Sequence, residues 1–527
     1  MRTGAIGAAG LAGTGTSIGL TVVVALLGPS AMEPALPGRP GQPPYSLVAH
    51  PSPHLVVALA GAALVVGTAG LGLSLYAVRR GWAPSPRALL VGGIFAAAVL
   101  AFMPPFGSAD HLSYAAYGRM LVTGHDPFAT GPNVMGHDPI ARAVEDWRTT
   151  PSVYGPLAVG GQALASLVGG TSVRLTVFVL SLLNLAAFAG VGLLLHRLAG
   201  RDRSRELRAA LLWTFNPLLM YELMAGAHVD TQAAALSLAA VAVFPAVRRS
   251  GSAGWRAFAG CLAAGALTGL GAAVKLTSAL PGGGLAWVAR SRWRWLAGLA
   301  VGFTVLAAAA FASGGPNVLR QAVRGGRYVS IGSPWRGIRT ALTAAFGGGT
   351  ASTLVSAGSL ALAVVLLVVF LRGLPGPRAL PDGLADAAPD PAQARAAARL
   401  ATARAALAFT LAWLFAWPYV LPWYDGLAWA LLPLAVWSWV DWLMLARTAA
   451  LAFGYLPAIA NPVVPFPADL GWLQSVVRTG VTPTILALLT VAAVVACIPR
   501  WMAPSRAGST TAHDHGGFSV NTTQNPP

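Results

Sequence analysis

Apolar stretches close to the thickness of a lipid bilayer recur along this chain, and no other feature restricts its fold as much. Residues 55–78, 175–195 and 354–371 are examples; each approaches the roughly 20 residues that a helix needs to cross the hydrocarbon core. The stretches are continuous and rich in Ala, Leu and Val, whereas a membrane barrel reads as segments of about 10 alternating residues. One such run would suit a signal peptide; many require a bundle. Composition agrees, with 55% hydrophobic and 10% charged residues and a mean hydropathy of +0.64, against about 25% charged in soluble domains. The expected fold class is all-α, a polytopic transmembrane helix bundle.

A net charge of +18 would suggest nucleic acid in a soluble protein. Here the arginines fall mostly in short loops between apolar runs, as orientation by the positive-inside rule predicts, so no nucleic-acid partner is expected and membrane lipids are. Lys275 is the single lysine, and with abundant Ala and Gly this is the composition of a high-GC bacterial chain. Cys261 and Cys497 sit in separate apolar runs and offer no disulfide or metal spacing.

Charge also threads the chain. The run 10–27 follows Arg2 and is either a cleaved signal or a retained anchor; the embedded remainder favours the anchor. The Pro-rich loop 28–54 is then outside, 55–78 returns to Arg79, Arg80 and Arg87, and 88–103 leads out to a large early extracytoplasmic loop, 104–154. Five arginines between 197 and 208 demand the cytoplasm, so 175–195 crosses and 156–168 is a shorter outer-face segment packed against the bundle. Runs 209–224 and 233–247 form a hairpin around His228 and Asp230. A second hairpin carries Lys275 near its tip and returns to Arg290, Arg292 and Arg294. Residues 295–312 lead out to an Arg-rich loop, 313–340, and 354–371 leads in to a solvated, partly helical cytoplasmic linker, 372–404. A further hairpin returning to Arg447, an outward run at 449–460 and an inward run at 485–497 complete about 14 crossings. Both termini are then cytoplasmic, and the polar tail is expected to be disordered. The division is an N-terminal hairpin at 1–84, a main transmembrane domain at 85–500 and the tail at 501–527.

Orientation gathers the unusual residues outside. Asp110 and His111 stand early in the loop 104–154, and a carboxylate beside an emerging helix has the right place to deprotonate a hydroxyl attacking a lipid-linked electrophile. Alternatively, Asp110 is only a helix N-cap. The loop 313–340 carries Arg320, Arg324, Arg327, Arg336 and Arg339 with no acidic residue, on the side where few arginines are expected. Guanidinium groups grip phosphate bidentately, and the spacing of Arg320, Arg324 and Arg327 predicts one helical face. Bulk lipid headgroups are the alternative partner. Lys275, costly inside an apolar hairpin, faces a cavity or snorkels to the interface. His228 and Asp230, then Tyr424 and Asp425, are turn chemistry or site lining; Trp417 and Trp423 stack on sugar faces or form an interfacial belt. His513 and His515 in the tail are read as a solvated accident rather than a metal site.

The N-in bundle with a large early outer loop and a basic outer site resembles the GT-C glycosyltransferase superfamily. More narrowly, Ala109-Asp-His-Leu-Ser-Tyr-Ala-Ala-Tyr-Gly-Arg119, Gly124-His-Asp-Pro-Phe128 and Ser152-Val-Tyr-Gly-Pro156 are similar to the actinobacterial polyprenol-phosphate-mannose-dependent α-1,6-mannosyltransferases, the MptA/MptB group. Phe215-Asn-Pro217, Gly226-Ala-His-Val-Asp230, Val274-Lys-Leu276 and Trp417-Pro-Tyr419 extend the similarity over roughly residues 85 to 500. The resemblance implies a polyprenyl-phosphate mannose donor, a mannan or glycolipid acceptor, an α-1,6 linkage and an outward-facing site in the cell membrane. Asp110 matches the family's early acidic position, which implies the catalytic base. Lys275 with Arg320, Arg324, Arg327 and Arg336 are then the candidate donor-phosphate ligands. Candidate substrate-binding residues are His111, Tyr114, Arg119, Asp126, Tyr154, His228, Asp230, Tyr424 and Asp425.

No strong metal-ligand set is visible, so no cofactor is assigned and a divalent cation at the phosphate stays open. Two competing classes remain. A lipid-linked saccharide flippase or transporter should show charges paired midway through helices, or internal repeats. Enzymes of the same superfamily that transfer arabinose, or mannose to protein, share the donor chemistry and differ in the sugar or acceptor.

Overall fold

Without water to satisfy backbone N–H and C=O groups, a chain of this composition closes its hydrogen bonds inside helices. The computed structural model describes residues 2–244, 254–325, 327–376, 391–458 and 466–502, and among them every named element is a helix. Eight described helices are long and apolar enough to cross a membrane, from Thr3–Leu27 and Pro53–Arg79 to Ala468–Ile498. Three more apolar helices, Pro86–Ala101, Pro156–Gly169 and Asp230–Val243, are shorter. The protein is therefore a multi-pass membrane helix bundle.

Local signals set the helix ends. Ser52 and Ser85 each cap a helix whose first residue is proline, accepting from the backbone N–H of Leu55 and Ala88, the asymmetric start that proline's fixed φ favours. Small residues let the backbones approach, because helix association in lipid relies on close packing rather than on expelling water. A Cβ on Gly302 would lie 2.1 Å from the carbonyl oxygen of Leu262. That contact seats helix Trp293–Ser313 on helix Gly254–Val274.

Several expected runs take a different form. The run at 209–224 is a broken helix: wide turns of π geometry at Ala210–Thr214 and Met220–Ala225 flank a stop at Asn216 and Pro217. Proline lacks the N–H to continue a helix, and the Asn216 side chain instead accepts from Leu218 and Leu219. The segment at 156–168 forms helix Pro156–Gly169, about 21 Å long at 1.5 Å per residue. It packs against helices Asp110–Val122 and Val173–Ala199. Residues 391–404 of the linker belong to helix Pro391–Ala416; 377–390 and the tail from 503 lie outside the described residues.

Two expectations need correction. Arg447 does not mark a cytoplasmic loop: it is 2% exposed within helix Trp439–Tyr455, and its Nε donates to Asp425 Oδ1 at 3.0 Å. A buried carboxylate holds it there, so it carries no information on sidedness. Nor do Arg320, Arg324 and Arg327 share one helix. Helix Asn317–Gly325 stops before Arg327, as a glycine pair at 325 and 326 disfavours continuation.

Candidate functional site

The outer loop is folded onto the bundle at two points where only glycine fits. A Cβ on Gly118 would lie 2.1 Å from the carbonyl oxygen of Gln162, which brings helix Asp110–Val122 against helix Pro156–Gly169. One on Gly155 would lie 2.1 Å from that of Ala273, and Gly155 N–H donates to Val274 at 2.9 Å. This second clamp puts Tyr154 beside Lys275, where helix Gly254–Val274 ends.

Asp110 opens helix Asp110–Val122, but Ala109 is the cap residue and no side chain caps that end. The N-cap alternative therefore does not hold. The carboxylate turns inward instead: its Oδ2 accepts from Tyr114 Oη at 3.5 Å and lies 3.6 Å from His228 Nδ1. Tyr114 Oη is in turn 3.2 Å from Tyr154 Oη. Burial pushes the Asp110 carboxyl up to about 7, with Lys275 partly opposing it. A carboxyl with that value is poised to exchange a proton near neutral pH.

His228 is 1% exposed and stacks on Trp423, with ring centroids 3.6 Å apart and planes 13° from parallel. Two residues on, Asp230 Oδ1 accepts from Lys275 Nζ at 2.7 Å while Oδ2 has no partner. The same Nζ sits 3.7 Å from the centre of the Tyr424 ring, a cation–π contact. Lys275 is thus held by one carboxylate and by the faces of Tyr424 and, at 6.0 Å, Tyr154, in a group that no stretch of sequence shows together.

Asp110, Tyr154, Lys275, Trp423 and Tyr424 border a cavity of about 520 Å³. Asp110, Ser113, Tyr154, Lys275 and Thr277 give its lining charged and polar groups, and Leu280, Phe409 and Trp413 give it apolar ones. Trp417, Tyr419, Trp423 and Tyr424 form an aromatic side, and Trp147 and Tyr328 stand at the exposed rim. A lining that combines charged, proton-exchanging groups with apolar ones fits an amphiphile with a polar, anionic head.

Of the sequence candidates, Asp110, Tyr154, Lys275 and Tyr424 border the cavity, while Tyr114, His228 and Asp230 hold them from behind. Arg119 pairs with Asp138 at 2.8 Å. Asp126 accepts from the Phe128 N–H at 2.8 Å and from Asn317 Nδ2 at 2.9 Å, tying the outer loop to helix Asn317–Gly325. Asp425 is fully buried against Arg447 and Thr448. His111 is fully buried with both ring nitrogens unpartnered, and burial lowers it to about 3, so it is neutral. Arg320, Arg327, Arg336 and Arg339 are exposed and do not border the cavity; the Arg324 side chain lies outside the described residues. Among the described residues no group of three or more His, Cys, Asp or Glu side chains is placed to hold a metal ion. Trp147, Gln321, Tyr328 and Phe409 were not foreseen; nothing local to them in the sequence marks a site.

Comparison with known proteins gives a consistent result. The family model described as alpha-(1->6)-mannopyranosyltransferase, N-terminal domain, of the MptA/MptB family, matches residues 11–291. A probable alpha-(1->6)-mannopyranosyltransferase of Mycolicibacterium smegmatis is 36% identical over 147 residues, 27% of this chain and 26% of the relative. An alpha-(1->6)-mannopyranosyltransferase of Mycobacterium tuberculosis is 34% identical over 149 residues, 27% of this chain and 24% of the relative. Alpha-(1->6)-mannopyranosyltransferase A of Corynebacterium glutamicum is 29% identical over 132 residues, 25% and 27% of the two chains. The aligned stretches thus span about a quarter of the length of these curated relatives.

Proposed function

Because this chain belongs to the MptA/MptB family, we propose that it is a mannosyltransferase, moving mannose from polyprenyl-phosphate mannose to a hydroxyl of a mannan or glycolipid on the outer face of the membrane. The observation that carries this is the pairing, across one cavity, of a carboxyl raised to about 7 with a buried lysine ammonium. A base for an incoming hydroxyl and a cation for a departing phosphate are the two groups this transfer needs.

The reaction is a single inverting displacement. The acceptor oxygen attacks C1 of the β-linked mannosyl phosphate as its proton passes to Asp110. The C1–O bond to phosphate breaks, and both electrons leave with the polyprenyl phosphate. Lys275 Nζ, fixed by Asp230 at 2.7 Å, meets the charge that develops on the phosphate. Inversion turns the β-linked donor into an α linkage, in keeping with the names of the relatives. The apolar lining residues Leu280, Phe409 and Trp413 offer contacts to the polyprenyl chain. The exposed arginines at 320, 327, 336 and 339 lie outside the cavity, so among the described side chains the phosphate falls to Lys275 and these four arginines to lipid headgroups. With the site outside, the charge pattern puts both termini in the cytoplasm.

Membranes carrying wild type or Asp110→Asn, supplied with radiolabelled polyprenyl-phosphate mannose and short α-mannosides, test the reading. Transfer by the wild type and its loss in the Asn variant are expected. Transfer at the wild-type rate by the variant would remove Asp110 as base; movement of intact lipid across vesicles without cleavage would make the protein a flippase.

A further inference from the structure

Trp147 and Tyr328 come from segments far apart in the chain, yet their rings meet at the cavity rim with centroids 6.1 Å apart. Each is more than a third exposed, at 41% and 37%. Behind them the aromatic contacts continue inward, Tyr328 to Tyr419 at 5.9 Å and Tyr419 to Tyr424 at 6.3 Å. Tyr424 is the ring that Lys275 sits against. A row of aromatic faces therefore leads from the exposed Trp147 and Tyr328 to Lys275.

The backbone at Trp147 is held in an unfavourable conformation. Its φ is +63°, in the left-handed region where a large side chain is rarely found. The neighbouring peptide groups fix it: Ser113 Oγ donates to the Asp146 carbonyl at 3.4 Å, the Thr150 N–H to that of Trp147 at 2.9 Å, and Tyr117 Oη to that of Thr150 at 2.9 Å. On the far side the Asn133 N–H donates to the Arg148 carbonyl at 2.9 Å. Four anchors hold the chain around Trp147 while its indole remains exposed. Packing does not account for a large ring kept at a strained, solvent-facing position.

We propose that Trp147 and Tyr328 form a carbohydrate-binding subsite at the cavity mouth, gripping acceptor sugar units behind the one whose hydroxyl reacts. The C–H faces of a pyranose stack on exposed aromatic rings, which supply contact area at little cost in side-chain entropy. The segment Glu145-Asp-Trp-Arg148 is charged, so the surroundings of this exposed pair suit a polar chain better than a prenyl tail. The acceptor's identity as a mannoside rests on the function proposed above; the subsite itself is tested by binding without donor.

The test uses the full chain in detergent with α-1,6-linked oligomannosides of one to four units. Calorimetry without donor gives affinity; transfer assays with donor give kcat/KM for each acceptor. Affinity and kcat/KM are expected to rise with acceptor length in the wild type. Trp147→Gly, which suits the left-handed φ and so should fold, is expected to lose about tenfold in tetramer affinity, bringing the tetramer-to-monomer kcat/KM ratio towards one. Trp147→Phe should restore part of the ratio, and Tyr328→Ala should lower it. Unchanged oligomannoside affinity in Trp147→Gly would overturn the proposal, as would a rise in donor KM with the acceptor ratio intact. Wild type that binds the oligomers through Trp147 but transfers nothing would leave the subsite standing and remove the assigned reaction.

Discussion

Lys275 Nζ lies 2.7 Å from Asp230 Oδ1 and 3.7 Å from the centre of the Tyr424 ring. A buried ammonium needs a carboxylate nearby, and removing one partner leaves the other charge uncompensated, at about 3–5 kcal/mol. Lys275→Met is therefore expected to lower Tm and abolish transfer. Lys275→Met combined with Asp230→Leu should regain most of the stability and none of the transfer. Thermal unfolding in detergent beside a transfer assay separates the two effects; recovery of transfer in the double variant would show that Lys275 serves the fold alone.

Asp110→Asn keeps the shape of the side chain and removes its ability to accept a proton. The expected loss in kcat is about 10²–10⁴-fold, the usual contribution of a positioned general base. Donor KM should change little, because Asp110 serves the incoming hydroxyl. A variant whose defect lay in donor KM would place Asp110 at the phosphate instead.

The raised value of Asp110, about 7, fixes the sign of two pH effects. Only the ionised carboxylate accepts a proton, so kcat/KM should fall as pH drops through about 7 and level off above it. Stability runs the other way. The folded state holds this proton more tightly than the unfolded chain, whose carboxyl ionises near its ordinary value of 3.8. The stabilisation present below about pH 4 is thus lost progressively as pH rises to about 7. Asp110→Asn should accordingly raise Tm relative to wild type at pH 8 and change it little at pH 4. An equal shift at both values would mean that the carboxyl is not perturbed.

Asp425 looked like site lining from its place beside Tyr424, but it receives bonds from Arg447 at 3.0 Å and Thr448 at 2.8 Å and is fully buried. Asp425→Asn should cost about 3–5 kcal/mol by stranding the guanidinium. It should lower the yield of folded protein while leaving donor and acceptor KM of the surviving fraction near wild type. A selective change in either KM would return Asp425 to the site.

What the sequence revealed and what it hid follow from how far each signal reaches. The bundle was legible because about 20 apolar residues in a row admit few structures. Asp110 and Lys275 stood out because a charge near apolar helices is costly enough to need a reason. Arg447 misled for the opposite reason: its carboxylate partner lies 22 residues away across a tertiary contact, and a charge rule cannot tell a paired buried arginine from a loop arginine. The arginines of 313–340 stood out by their number, but reach into a cavity depends on where helix Asn317–Gly325 ends and how helix Pro334–Phe346 lies. Trp147 and Tyr328 had no local signature, since their pairing exists only in three dimensions.

Sidedness can be tested at the helix that carries two of those arginines. Helix Pro334–Phe346 has no buried residue and turns Ile338, Leu342 and Phe346 to one side and Arg336, Thr340 and Thr343 to the other, a pattern suited to the membrane surface. Ser330 is a poor labelling position: it is 8% exposed and its Oγ accepts from the Val420 N–H at 3.1 Å. Thr340 is exposed, and the two native cysteines, Cys261 and Cys497, are buried and should give little background. Thr340→Cys in intact cells is expected to react with an impermeant maleimide, whereas a cysteine at Arg203, on the other side of the proposed topology, should react only after permeabilisation. The reverse pattern would turn the cavity to the cytoplasm and remove the outer-face assignment while leaving Asp110, Lys275 and the cavity between them as they stand.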